Sequence, residues 1–299
     1  GILGASAPKI NNADMKSYGW EMELSWRDRI EDFNYGVRFT LADGQRKVLK
    51  YPNESGDIYS WYNNKLDGTI WGYTTVGIAQ TQEEMNAHLA NNKPNWGSNW
   101  GAGDIMYADL NGDGEVTSGS KTLNDHGDLK VIGNSYARYN FGFTVDGSWR
   151  GLDFSIFLQG TMKRDYWLDG PYFWGASGDE WQSACFTEHL DYWTPEHTNA
   201  YYPKPYFGNI KKNQEVQSGY LQNAAYLRVK NVQVGYTLPK SWTKKAAMES
   251  VRFYVSGDNL LTWTGISSIF DPETLGGDWG PGKLYPLQRT LSVGVNVNF

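Results

Sequence analysis

The chain has 299 residues, of which 40% are hydrophobic and 15% aromatic, with 14 Trp and 20 Tyr. Its formal net charge of −6 and scattered basic residues exclude the electrostatic footprint of a nucleic-acid or anionic-lipid binder. One cysteine, Cys185, leaves no internal disulfide, and no run approaches the ~18 apolar residues of a membrane-spanning helix. A transmembrane β-barrel stays open, because strands that alternate apolar-out and polar-in keep the mean hydropathy low. The opening Gly-Ile-Leu-Gly has no starting methionine and no signal peptide, which reads as part of something longer.

The first element is a strand around residues 20–26, where Trp20, Met22, Leu24 and Trp26 alternate with Glu21, Glu23 and Ser25. A second covers 35–42, with Tyr35, Val37, Phe39 and Leu41 on one side. A third at 137–147 sets Tyr139, Phe141, Phe143 and Val145 opposite Asn140, Gly142, Thr144 and Asp146. A fourth at 152–160 aligns Leu152, Phe154, Ile156 and Leu158. In a fifth, at 224–238, Leu227 and Val229 share one phase and Val232, Val234, Tyr236 and Leu238 the other. A β-bulge near Lys230 and Asn231 would restore one apolar face. The sixth aligns Val251, Phe253, Val255, Leu261 and Trp263; the last, 287–299, aligns Leu291, Val293, Val295, Val297 and Phe299. Period-two alternation over such lengths predicts about seven half-apolar strands.

The links between them alternate. Those around 27–33, 147–151 and 239–250 are short, whereas 43–134, 164–222 and 264–286 are long and read as irregular. Long loops count against a compact soluble domain, but transmembrane barrels have short turns at one end and long loops at the other. A soluble β-sandwich or propeller is the alternative, and it leaves the strict long–short order unexplained.

Within the first long link, Asp-Leu-Asn-Gly-Asp-Gly at 109–114 has the spacing of a calcium loop. Asp109, Asn111 and Asp113 would supply side-chain oxygens, Glu115 a carbonyl, and Gly114 the sharp turn. Position 12 is Ser120 rather than Glu, so Asp125 or Asp128 would have to substitute. The competing reading is an Asx- and Gly-rich turn held by its own hydrogen bonds. Catalytic signals are weak. Asp179 and Glu180 are adjacent but have no demonstrated separation. His88, His126, His189 and His197 lack zinc-ligand spacing, and Gly175–Asp179 lacks the Gly-x-Ser-x-Gly form. The chain reads as a non-enzyme.

Four stretches carry a family resemblance: residues 109–116, 225–242 (ending Gly-Tyr-Thr-Leu-Pro-Lys-Ser-Trp), 251–263, and 285–299 (Tyr-Pro-Leu-Gln-Arg-Thr onward). Together with the hairpin at 140–160, they resemble the C-terminal part of SusC/RagA-type TonB-dependent outer-membrane transporters of Bacteroidetes. The resemblance implies an all-β segment, residues 1–299, forming the last strands of a 22-stranded barrel whose plug and N-terminal strands lie outside the chain. It implies outer-membrane uptake of nutrient oligomers, with a SusD-like surface lipoprotein above and TonB supplying energy through the N-terminal part. It also implies that Phe299 is read as a terminal aromatic assembly signal. Cargo is a further expectation: glycans, with oligopeptides as the alternative. Aromatic rings interleaved with amides and carboxylates point to Trp96, Trp100, Trp174 and Trp181 as a sugar platform, in stretches where Lys93 is the only cation.

Overall fold

A computed structural model describes residues 11–175, 185–206, 212–276 and 280–299. The chain divides into two compact units. One comprises 1–18, 45–134 and 191–220; the other comprises 19–44, 135–190 and 221–299.

All seven alternating segments form strands: β1 Asp14–Ile30, β2 Phe33–Lys50, β3 Arg138–Trp149, β4 Leu152–Lys163, β5 Gln222–Thr237, β6 Ser250–Gly265 and β7 Thr290–Asn298. They are hydrogen-bonded neighbours in chain order, and a short strand Asp165–Tyr166 adds to β5. The register aligns like with like. Phe39, Phe143, Leu158, Val229 and Leu261 form one row across five strands, and Val37, Val145, Ile156, Val232, Gly257 and Leu291 form another across six. Because the side-chain period is two, the intervening rows carry the polar set: Gly36, Asp146, Ser155, Gln233, Ser256 and Ser292.

The bulge lies where the phase change demands it. Asn231 faces Phe157 and Val229 faces Leu158, so Lys230 has no opposite number. The tight turn between β3 and β4 places Arg150 at φ 46° and Gly151 at φ 92°, the positive-φ pair of a type I′ hairpin.

The long link after β2 is not irregular, contrary to the sequence reading. It folds, with 191–220, into a unit of short ladders: Thr69–Gly72 on Lys130–Asn134, Thr75–Ile78 on Ile105–Tyr107, and Lys93–Pro94 on Glu115–Val116. Helix α1, Gln82–Leu89, starts on Thr81, whose hydroxyl accepts the Glu84 N–H at 3.1 Å, while the Glu84 carboxylate accepts the Gln80 N–H at 2.6 Å. The first bond satisfies a donor that the first turn leaves bare, and the second ties the residue before the cap to the same turn. Met85 from α1 packs with Ala79 and Met106, and Tyr107, Ile58 and Val116 of the same unit are buried as well. A buried ion pair, Lys212 to Asp104 at 2.6 Å, belongs to the same unit. Asp104 also accepts the Gly101 N–H and the Asn213 amide, so both its oxygens are engaged. That satisfaction is what makes a charge tolerable inside.

Candidate functional site

The sheet has one bare apolar face. Leu291 is 77% exposed and Val293 83%, and Trp20, Leu24, Trp26, Phe253, Val255, Leu261 and Trp263 are exposed as well. Water would penalise such a run of exposed apolar side chains at about 25 cal/mol per Å², and contiguous apolar patches on a protein surface mark places where something else packs. Hydrocarbon would not penalise it.

The other face is polar and cross-linked. Arg38 pairs with Glu23 at 2.8 Å, Arg27 with Asp146 at 3.0 Å, and Arg252 with Asp153 at 2.5 Å. The last pair crosses β5 where the residue is Gly235; a Cβ there would meet the Arg252 Cζ at 2.6 Å. Glycine therefore keeps the bridge possible.

Of the four tryptophans expected to form a sugar platform, Trp96 and Trp100 share the first unit. Trp96 stacks on Tyr73 at 4.6 Å and meets Tyr107 edge-on at 5.2 Å, and Trp100 lies edge-on to both Trp96 and Tyr107. Tyr73 and Tyr107 are buried, and burial raises both phenol pKa values, so both stay neutral donors. Trp96 also lines a 200 Å³ cavity with Tyr59, Ser118 and Lys121, and its buried indole N–H has no hydrogen-bond partner among the described residues. Trp174 is in the second unit, 7% exposed, held edge-on by Phe173 at 5.1 Å and beside Trp167 at 6.0 Å. It packs among these rings and leaves little of its own surface to solvent. Trp181 lies outside the described residues, as do Asp179 and Glu180.

The Asp109 loop closes on itself. Asp109 Oδ1 accepts the Asn111 and Gly112 N–H groups at 3.0 and 2.6 Å, and Oδ2 accepts that of Gly114 at 2.8 Å. Asn111 accepts the Asp113 N–H, and Asp113 that of Glu115, both at 2.9 Å. Asp128, fully buried, does reach the loop, but as acceptor for Leu110 and Thr117. Asp125 instead takes the Ser120 hydroxyl and N–H. Among the described residues no three His, Cys, Asp or Glu side chains are grouped to hold a metal ion. The side-chain oxygens of Asp109, Asn111 and Asp113 thus accept backbone N–H bonds within the loop.

The histidines likewise have local roles: His88 Nε2 faces the Tyr107 carbonyl, His189 Nδ1 accepts the Phe186 N–H, and His197 pairs with Asp191. Sequence reasoning missed the tyrosines that hold Trp96 and the cation Lys204 beside Asn99 and Ala102, since both juxtapositions join segments far apart in the chain. Phe299 is exposed, one residue past β7.

Comparison with known proteins finds TonB-dependent receptors. No family model matches. The TonB-dependent receptor P3 of Formosa agariphila is 26% identical over 99% of this chain, and the receptor P26 of the same organism 25% identical over 99%. The TonB-dependent receptor SusC of Bacteroides thetaiotaomicron is 22% identical over 97%. The chain spans 30%, 30% and 27% of these relatives. Among solved structures, the RagAB peptide transporter aligns with all of this chain and 31% of its own, at a TM-score of 0.69 and 21% identity, a likeness of fold. The chain is thus similar along almost its whole length to TonB-dependent receptors of the SusC kind, and its sheet has the fold of the corresponding portion of such a barrel.

Proposed function

We propose that this chain supplies wall strands and loops of an outer-membrane, TonB-dependent importer of nutrient oligomers, glycans above all. The apolar rows running across β2–β7 carry the membrane reading, since each strand offers a continuous lipid-facing side and a polar inner side. Its own edges, β1 and β7, require further strands, because unsatisfied backbone groups are not tolerated in hydrocarbon. The similarity to SusC supports a SusD-like lipoprotein as the surface partner and TonB as the energy donor.

The membrane reading is tested by Val293→Arg against Ser292→Arg in the full-length receptor. Val293→Arg should lose about 2–4 kcal/mol of stability if its position is near the midplane, seen as reduced assembly in the outer membrane, and Ser292→Arg should assemble normally. Normal assembly of both would overturn it. Glycan cargo is favoured by Trp96, which lines a small cavity with Tyr59, Asn95 and Ser118 and whose buried indole N–H has no hydrogen-bond partner among the described residues. Oligopeptide import is the second reading, because the solved neighbour is named a peptide transporter. Calorimetry of the purified receptor–lipoprotein complex with neutral oligosaccharides and with oligopeptides separates them; Trp96→Ala should weaken sugar binding, and binding of peptides alone would reverse the assignment.

A further inference from the structure

A cleft of 540 Å³ lies wholly within the loop unit, between Gln82 and Asn99–Ala102 on one side and Tyr192–Pro195 with Lys204–Tyr206 on the other. Its frame is fixed. Trp193 is buried, and its indole N–H donates to Gln80 Oε1 at 3.1 Å. The Lys204 N–H donates to the Gly103 carbonyl at 2.8 Å. The Tyr206 ring has the Lys212 ammonium 4.3 Å from its centroid, and burial together with the neighbouring Asp104 raises its phenol pKa.

The charges here do not cancel. Lys212 is neutralised by Asp104. Lys204, exposed at the cleft with its ammonium 5.4 Å from the centroid of the Tyr206 ring, has no carboxylate within ion-pair distance among the described residues. Beside it stand the Asn99 amide and the Thr194 hydroxyl, neither bonded to another described residue, and the ring of Tyr192, 37% exposed. An unneutralised cation, a flat aromatic wall and free hydroxyl-matching groups converge on one concavity.

We infer that this cleft binds a carboxylate-bearing sugar, a uronic acid unit of an oligosaccharide, with its carboxylate on Lys204; this rests on the glycan-uptake reading. The charge-assisted bond supplies the preference over a neutral sugar, the ring's apolar face lies on Tyr192, and its hydroxyls reach Asn99 and Thr194. A peptide C-terminus fits less well, because such carboxylates are taken by clusters of free backbone N–H groups. Here the N–H groups of Gly101, Gly103 and Lys204 are already donated to Asp104, Ala79 and Gly103.

The test uses the full-length receptor with its lipoprotein and three probes: a galacturonic acid tetrasaccharide, the same tetrasaccharide with its carboxyls reduced to alcohols, and a tetrapeptide. The uronate should bind about tenfold tighter than the reduced sugar, and the margin should shrink with salt. Lys204→Gln should erase the margin without changing the affinity of the reduced sugar, and Lys204→Arg should keep it. Equal binding of the two sugars, or a margin that survives Lys204→Gln, overturns the inference and leaves glycan uptake standing. Binding of the peptide alone overturns both, and binding of neither sugar also overturns the uronate assignment.

Discussion

Asp109 accepts backbone N–H bonds from Gly114, Gly112 and Asn111, and these hold its carboxyl pKa below the ordinary value. A depressed folded-state pKa stabilises the loop above the unfolded carboxylate range near 4, and that contribution disappears as pH falls through the folded value. Hydrogen exchange of the 109–116 segment, corrected for intrinsic pH dependence, should therefore accelerate below about pH 4, and Asp109→Asn should remove the step. A step that persisted in the variant would assign the effect to Asp125, which Ser120 also holds low. Chelation decides between the two readings of the loop: unchanged exchange would leave the turn's own hydrogen bonds as its support, and faster exchange would support a cation at Asp109, Asn111 and Asp113. The Lys212–Asp104 pair responds differently. Lys212 is 1% and Asp104 0% exposed, so Lys212→Met leaves a buried carboxylate uncompensated and should destabilise the unit by about 3–5 kcal/mol. The double variant Asp104→Asn, Lys212→Met should recover much of that loss in denaturant melts, since the asparagine oxygen keeps the Gly101 bond. No recovery would mean that the ammonium's contacts with the Trp100 and Tyr206 rings, rather than its pairing with Asp104, hold the site.

At the scale of elements, β5 offers a test of register. Lys230 is the extra residue of its bulge, so deleting it leaves Leu227, Val229, Val232 and Val234 in one uninterrupted alternation. The receptor lacking Lys230 should assemble, at the cost of the ion pair to Glu273 at 3.0 Å and of one more unpaired residue on β6, which already sets Asn259 and Leu260 against Lys230. Deleting Gln233 instead turns half the strand's apolar side inward and should abolish assembly. The opposite pair of results, read by heat-modifiable gel mobility, would mean that the bulge is required for curvature. This bulge was legible from the sequence because a phase change between Val229 and Val232 has few other causes. The strands were legible for the same reason: period two recurs in every one. Helix α1 also had its signal, Thr81 and Glu84 three apart, but its 8 residues with one buried side chain, Met85, left no apolar stripe to notice. The core around Tyr73, Trp96 and Tyr107 had none, because side chains from separate ladders make it and no local period records their meeting. The packing of Trp174 on Phe173 is illegible for a related reason: composition cannot distinguish a ring that faces a ligand from one that faces a neighbouring ring.

For the molecule as a whole, the apolar rows set the height of the lipid-facing band. One limiting row runs Phe33, Trp149, Leu152, Tyr236, Phe253 and Val295; the other runs Leu41, Phe141, Gly160, Leu227 and Trp263. On β2 and β4 these rows are separated by the steps from Phe33 to Leu41 and from Leu152 to Gly160, which at ~3.3 Å per residue is about 26 Å along the strand. A tilt of about 40° reduces this to roughly 20 Å between backbone levels, and the side chains at both limits extend it toward the ~25 Å band of outer-membrane barrels. Aromatics stand at both limits: Trp149 at 50% and Tyr236 at 41% exposure on one, Trp263 at 54% on the other. Amphipathic rings prefer the level of the headgroups, where one end stays wet. Single-tryptophan versions of the full-length receptor in bilayers with brominated lipids should therefore place Trp149 and Trp263 near the interface, quenched most by bromine close to the headgroup. An indole introduced at Val145, in the central row, should be quenched most by bromine near the chain ends, and Trp96 should not be quenched at all. Deep quenching of Trp149 or Trp263 would shift the band along the strands by one or more rows, and equal shallow quenching at all three wall positions would remove the face from the membrane.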